Sequence, residues 1–389
     1  MKTTTIGVAV VGAGMAGQAH AFGYSNAAMA NDLADCDIRR VAVVDADLDL
    51  ARTVADRYGF EHGTDDLEAV LAEPAVDALS VALPNFAHAD VLPRILASGK
   101  HLLAEKPIGR SLAEATALAE QARASTAVTG VGFSFRRLPG LAAVAAAVAD
   151  GRIGSPHTVR GWYYADYAAD PQAPLSWRYA RQQAGAGALL DIGAHAVDAL
   201  TYVAGPVATV RSAELRTVIA TRPRPVNTTV GHGSTASSDH GAVTNDDLAT
   251  LTVDFASGAL GTLLLSRIAH GVPNSLGVEV FGTNGHVRFD SLRAGEFEIF
   301  TAADTDPYGG PRTVFTGPQH PPFADVAAMP GTGVGTGYAE AFVAEIQEFI
   351  RCIRHGQPMS TNFDTAVAMM TVVEAAQQLA AADRNQSAD

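Results

Sequence analysis

Three side chains in this sequence have the types and spacing for acid–base chemistry on a hydroxyl group: Lys106, in the run Lys100-His101-Leu102-Leu103-Ala104-Glu105-Lys106-Pro107, and Asp191 with His195 four residues further on. Residues 101–104 read as a short buried strand, after which the polarity changes in one step to an acid, an amine and a proline. In an open parallel sheet the crevice lies off the carboxyl ends of the strands, so a charged pair placed there faces a ligand. Pro107 pushes Lys106 out of the α region into an extended or turn conformation, which aims the amine; the plain alternative is a solvated loop lysine. Asp191 and His195 fall on one face of an expected helix. A carboxylate beside an imidazole fixes its tautomer and favours its charged form, as a base removing a hydroxyl proton requires. The plain alternative is a surface or cap pair. Against it stands Gly185-Ala186-Gly187 at the start of that helix, where small residues leave room for backbone to approach a ligand.

The elements that must hold these groups are legible. Residues 5–11 form a β-branched run of the kind buried on both faces of a parallel sheet. Gly12-Ala13-Gly14-Met15-Ala16-Gly17 follows at once and opens a helix. This is GxGxxG in its strand-to-helix context: Gly12 for the turn, Gly14 for approach to a pyrophosphate, Gly17 for close packing, and free N–H groups at the helix start for the phosphates. A second strand, 41–44, ends at Asp45, which can accept from ribose hydroxyls and repel a 2′-phosphate. Asp45 and Asp47 without an arginine directly after favour NAD over NADP, and Asp47 can also cap the next helix. Strands and helices then alternate: helix 48–58, strand 61–63, helix 65–72, strand 77–83, helix 86–98, strand 101–104, helix 111–125 and strand 127–133. This predicts an N-terminal Rossmann doubly wound parallel sheet. Leu83-Pro84-Asn85-Phe86-Ala87-His88 lies at another carboxyl end, within reach of ribose or nicotinamide, although Asn85 could equally cap its helix.

From residue 135 the pattern changes. Helix 138–150 and strand 156–164 precede an irregular stretch with Tyr163, Tyr164, Tyr167 and Trp177-Arg178, then helix 188–204. Strands follow at 207–219, 247–256, 259–269, 276–282, 286–290 and 296–301, with Asn284-Gly285 a hairpin turn. The second half is therefore expected to be an α+β domain with a large open, mainly antiparallel sheet. Residues 222–245, rich in Gly, Ser, Thr and Pro, read as a mobile loop; His232, Asp239 and His240 in it match no zinc or iron spacing, so no metal is expected. Helices at 338–355 and 364–382 close the chain. The expected division is 1–134, a nucleotide-binding domain; 135–360, a substrate-binding and oligomerisation domain; and 361–389, a helix returning to the first domain.

Composition limits the partners. The chain has 389 residues and a net charge of -14, which repels phosphate backbones and anionic lipid, so neither nucleic acid nor membrane is an expected partner. Two cysteines without CxxC spacing fit a reducing cytoplasm. Residues 1–21 imitate a secretory leader but make a better strand and glycine turn. The open sheet face predicts a homo-oligomer, a dimer or tetramer.

Gly12-x-Gly14-x-x-Gly17, Glu105-Lys106-Pro107 and Asp191-x-x-x-His195, in this order, resemble the glucose-fructose oxidoreductase, inositol dehydrogenase and rhizopine catabolism (Gfo/Idh/MocA) family across essentially the whole chain. The resemblance implies a catalytic set of Lys106, Asp191 and His195. It implies cofactor contacts from Gly12, Ala13, Gly14, Met15, Ala16, Asp45, Leu83, Pro84, Asn85, His88, Glu105, Lys106, Trp177 and Arg178, and sugar contacts from Phe135, Tyr163 and Tyr338. Residues 170–178, 314–321 and 335–338 resemble the levoglucosan dehydrogenase branch of that family, which implies oxidation of a secondary hydroxyl, at C3, on a pyranose or anhydrosugar. Phe135 stands where this branch tends to carry tyrosine, so one sugar hydroxyl would be held differently. Other readings stay open: an inositol or polyol dehydrogenase, an NAD(P)H-dependent ketosugar reductase, a glycosidase that uses NAD internally, or a non-catalytic NAD-binding sensor.

Overall fold

The computed structural model describes residues 4–226, 236–302 and 309–386. The chain divides into two compact units: Met1–Leu138 with Pro321–Pro330 and Thr336–Ala368, and Pro139–His320 with Gly331–Gly335 and Met369–Asp389.

In the first unit β1 (Thr4–Val11), β2 (Cys36–Val44), β3 (His62–Thr64), β4 (Ala78–Val81), β5 (His101–Glu105) and β6 (Thr129–Gly132) make one parallel sheet in the order β3-β2-β1-β4-β5-β6. Between them run α1 (Met15–Asn26), α2 (Leu48–Tyr58), α3 (Leu67–Ala72), α4 (Asn85–Ala97) and α5 (Leu112–Ala124). Ile6 and Val8 to Val11 are all buried, as an unbroken apolar run must be when both sheet faces are covered. The strand order turns back between β1 and β4, and that switch point sets the crevice at the ends of these two strands. Asp47 caps α2, accepting from Leu50 N at 3.1 Å.

The second unit contains α6 (Pro139–Ala149), β7 (Pro156–Ala165), α7 (Arg181–Ala184), α8 (Ala188–Asp191), α9 (Gly193–Ala204), β8 (Val207–Arg216), β9 (Thr221–Pro225), β10 (Ala236–Ala242), β11 (Leu248–Phe255), β12 (Leu260–Ser266), β13 (Asn274–Gly282), β14 (Gly285–Asp290), β15 (Glu296–Thr301) and β16 (Arg312–Phe315). Eight of these strands form a sheet in the order β16-β15-β14-β13-β7-β12-β11-β8. Its neighbours in sequence pair antiparallel, as the turns predict, but β7 enters the centre and runs parallel to β12, so the sheet is mixed. α9 covers one face, where a Cβ on Gly161 would lie 2.1 Å from Leu200 Cδ1. On the other face Leu260, Leu264 and Phe281 are exposed. The expected mobile loop 222–245 needs correction: β9 and β10 pair as an antiparallel ribbon, and Leu175 N donates to Pro223 O at 2.7 Å. Composition alone hides this, because the ladder is made by backbone groups whatever the side chains.

The chain then adds α10 (Phe323–Val326) and α11 (Tyr338–His355) to the first unit. Gly23 on α1 leaves space for Ile346, 2.7 Å from where its Cβ would be. The last helix, α12 (Phe363–Gln386), begins in the first unit and belongs to the second from Met369. Among the described residues no helix is long and apolar enough to cross a membrane.

Candidate active site

The glycine turn after β1 has the three separate geometries that its spacing predicts. Gly12 has φ +100°, and a Cβ there would sit 2.4 Å from Ala82 O. One on Gly17 would lie 1.7 Å from Gly12 O, whereas Gly14 has nothing within 4 Å. So Gly12 and Gly17 serve the turn and its packing, and Gly14 leaves its surface to a ligand. α1 starts without a side-chain cap, and Met15 is exposed, which leaves N–H groups and positive partial charge at this end for phosphates. Asp45 at the end of β2 accepts from Ala13 N at 2.7 Å through Oδ2 and from Asp47 N at 3.0 Å through Oδ1. The acid therefore holds the turn in shape as well as standing where a ribose would meet it. These features fit a dinucleotide.

The other carboxyl ends of the sheet are tied to one another. Pro84, not Asn85, is the residue preceding α4, and Asn85 is the first, buried, helical residue; the cap reading of Asn85 is thus not what the chain adopts. Leu83 and Pro84 are half-buried. His88 is fully buried, and its Nδ1 donates to Pro107 O at 2.8 Å. Burial pushes this imidazole below its usual pKa, so it stays neutral. Glu105, also buried, accepts from Lys106 N at 3.1 Å through Oε2, and its Oε1 lies 3.2 Å from His20 Nε2. Lys106 is half-buried at the turn itself. His20, Glu105 and Glu345 are the one group of metal-ligand types within 4.8 Å among the described residues. Of the residues considered for a metal in the sequence, Asp239 pairs with Arg224, His240 with the Ser238 carbonyl, and His232 lies outside the described residues.

Phe135 is buried beneath Tyr338, with ring centroids 4.9 Å apart. Tyr338, exposed at the start of α11, has its hydroxyl 3.3 Å from Ser134 Oγ. So Phe135 supports the Tyr338 ring, whose hydroxyl meets the buried Ser134.

In the second unit Asp191 and His195 do not share one helix. α8 ends at Asp191, Ile192 intervenes, and α9 begins at Gly193. The glycine opening also has a different use: a Cβ on Gly187 would be 1.8 Å from Asp246 O, so the chain's own backbone takes the room expected for a ligand. The Asp246 carboxylate accepts from Gly187 N and Leu189 N at 2.8 and 2.7 Å and thereby starts α8. His195 is buried, with the Tyr163 ring 6.4 Å from its own; the Tyr163 hydroxyl donates to Asn274 Oδ1 at 2.7 Å.

Sequence reasoning did not connect Tyr167 or Arg178 with Asp191. Tyr167 donates its hydroxyl to Asp191 Oδ2 at 2.6 Å, and Arg178 Nε is 3.8 Å from the same oxygen. Burial and then the neighbouring carboxylate hold the Tyr167 phenol well above its usual pKa, so it remains a donor. The Arg178 guanidinium lies over the Trp177 ring at 4.5 Å. Beneath them are two fully buried arginines: Arg267, paired with Asp247 at 3.0 Å, and Arg222. Tyr167 was visible only as one of three tyrosines near the end of β7, and nothing local marked Arg222 or Arg267.

Comparison with known proteins agrees with this geometry. Residues 6–133 match the model for an oxidoreductase family with an NAD-binding Rossmann fold, and residues 141–288 match a GFO/IDH/MocA C-terminal domain. The chain belongs to the GFO/IDH/MocA oxidoreductase family. This family member is an NAD-dependent oxidoreductase. It is 33% identical over 360 residues to a levoglucosan dehydrogenase from Pseudarthrobacter phenanthrenivorans, covering 92% of each chain. It is 27% identical over 320 residues to a scyllo-inositol 2-dehydrogenase (NAD(+)) from Bacillus subtilis, covering 82% of this chain and 79% of that one. Among solved structures, a levoglucosan dehydrogenase in complex with NADH and levoglucosan superposes with a TM-score of 0.90 at 32% identity, over 97% of this chain and 98% of that one.

Proposed function

We propose that this enzyme oxidises a secondary hydroxyl, at C3, of a pyranose or anhydrosugar such as levoglucosan to the ketosugar. The observation that supports this most is the match to levoglucosan dehydrogenase along nearly the whole of both chains, with Lys106, Asp191 and His195 at the positions that carry the family motif. Gly12, Ala13, Gly14, Met15, Ala16, Asp45, Leu83, Pro84, Asn85, His88, Glu105, Lys106, Trp177 and Arg178 are the residues proposed to hold the nucleotide. Bound NAD supplies the hydride acceptor.

In this reading the Lys106 ammonium donates to the reacting oxygen and stabilises the alkoxide character that develops there. His195 takes the hydroxyl proton, and Asp191 steadies the imidazolium that results. Tyr163 and Tyr338 hold the sugar. Phe135 has no hydroxyl to offer and acts through Tyr338. His88 and Glu105 also support the turn that carries Lys106, through bonds to Pro107 O and Lys106 N.

NADH formation against levoglucosan, inositols and hexoses, with NAD and NADP in parallel and product analysis, tests this. Turnover of levoglucosan with NAD supports it; turnover of inositols alone moves the enzyme to the polyol reading, which the inositol dehydrogenase relatives favour. NADH from no sugar or polyol overturns both. The exposed Leu260, Leu264 and Phe281 on the open sheet face favour a homo-oligomer formed through that face. The two free thiols, Cys36 and Cys352, favour the cytoplasm.

A further inference from the structure

We infer that Tyr167 is a positioning residue for Asp191: its hydroxyl fixes one carboxylate oxygen, and the anchored loop 166–180 sets the angle at which the other meets the reacting groups. This rests on the reading of Asp191 as the group that steadies His195.

Asp191 cannot be aimed by its own helix. α8 has four residues and ends at Asp191, so the side chain stands at a helix terminus with two rotatable bonds to settle. A single turn of helix has little rigidity of its own. The holding contact comes from outside, 2.6 Å from the Tyr167 hydroxyl to Oδ2, with Arg178 Nε at 3.8 Å from the same atom. With Oδ2 committed to this loop, Oδ1 is the oxygen through which Asp191 acts. A phenol suits the task, since it donates a charge-assisted hydrogen bond without transferring its proton and leaves the carboxylate its charge.

The loop is itself fixed. Arg222 donates to the carbonyls of Ala168 and Asp170, the latter at 2.7 Å. Arg267 Nη1 and Asn245 Nδ2 donate to Arg178 O at 3.1 and 2.8 Å. Between these anchors the Tyr179 ring has Arg222 at 4.1 Å and Arg267 at 4.8 Å, and both arginines have zero exposure. Side chains this buried keep few rotamers, so Tyr167 and Arg178 are delivered to Asp191 from a rigid support. One loop therefore carries both a residue that orients the acid and, at Trp177-Arg178, the segment proposed to meet the nucleotide.

Tyr167→Phe removes the hydroxyl and little else. With NAD and the best substrate from the sugar panel, kcat is expected to fall about tenfold to a hundredfold, the size of a lost hydrogen bond to a charged group. KM for sugar and for NAD stays within about twofold, because the loss falls on the oriented step and not on binding. A crystal structure of Tyr167→Phe is expected to show the Asp191 carboxylate turned from its present rotamer, a readout that needs no turnover. Unchanged kcat in Tyr167→Phe alongside an inactive Asp191→Asn overturns the inference and leaves the function standing. Wild-type turnover in Asp191→Asn overturns the role of Asp191 in the mechanism. An unmoved Asp191 carboxylate in the Tyr167→Phe crystal overturns the inference whatever the activity.

Discussion

His88 Nδ1 donates to Pro107 O across 2.8 Å, joining the first turns of α4 to the chain just past Lys106. Because a carbonyl only accepts, this bond fixes the proton on Nδ1 and requires a neutral or charged ring with that tautomer. Burial selects the neutral one. The position of Lys106 thus depends on a fully buried histidine.

Acid stability follows from the same ring. The folded-state pKa of His88 lies below its ordinary value of 6.5, so between the two values the unfolded chain binds a proton that the folded one does not. Its contribution is present above pH 6.5 and is lost as pH falls through the lowered folded value. Tm measured from neutral pH downward should drop below that point, and His88→Leu should flatten the drop. His101, also lowered by burial, would leave a residual slope. An unaltered slope in His88→Leu removes His88 from the explanation.

Two alanine substitutions should separate nucleotide binding from folding. Gly17→Ala places a methyl group 1.7 Å from Gly12 O and should lower Tm by several degrees or prevent soluble expression, an overpacking cost of about 1–3 kcal/mol or more. Gly14→Ala meets nothing within 4 Å; Tm should hold while the NAD dissociation constant, read by fluorescence titration, rises about tenfold.

Asp45→Ser should change cofactor choice. It removes the negative charge that opposes a 2′-phosphate, and it also removes an acceptor from Ala13 N and Asp47 N. The ratio of kcat/KM for NADP over NAD should rise about tenfold or more while kcat/KM with NAD itself falls. A constant ratio would assign Asp45 to holding the turn alone.

Lys106→Met keeps length and loses the donor. Turnover should fall by about a hundredfold or more, with NAD affinity by titration nearly unchanged. Equal turnover would take Lys106 out of the mechanism.

Arg267→Met tests the buried support. It would strand Asp247 at zero exposure with the N–H groups of Val218 and Ile219, each at 2.8 Å, as its remaining side-chain partners among the described residues. Removing one member of a buried pair costs about 3–5 kcal/mol, so the denaturation midpoint should drop clearly. A midpoint within error of wild type would show that the pair adds no net stability.

What could be read from the chain was what is local. The run at residues 5–11, the glycines at 12, 14 and 17 and the acid at 45 each state their geometry within a few residues, and the first unit follows from them. The turn Asn284-Gly285 likewise announces β13 and β14. The start of α8 was invisible, because the group that holds it is Asp246, more than fifty residues later in the chain, and no local signal marked the break at Ile192. Tyr167, Arg222 and Arg267 acquire meaning only once the large sheet sets β7 beside β12 and the separate ribbon of β9 and β10 is in place. β16 escaped notice for a similar reason: four residues with no alternating pattern become a strand by pairing with β15.

The parallel pairing of β7 with β12 has a consequence for how the chain is made. Thr158 must wait for Leu260 to leave the ribosome, and Leu276 must follow before Tyr163 is paired on its other edge. Contacts so distant in sequence are slow to form, and until they do, β7 offers two bare edges to any other strand nearby. Synthesis rate and chaperone supply should therefore affect how much active enzyme a cell obtains.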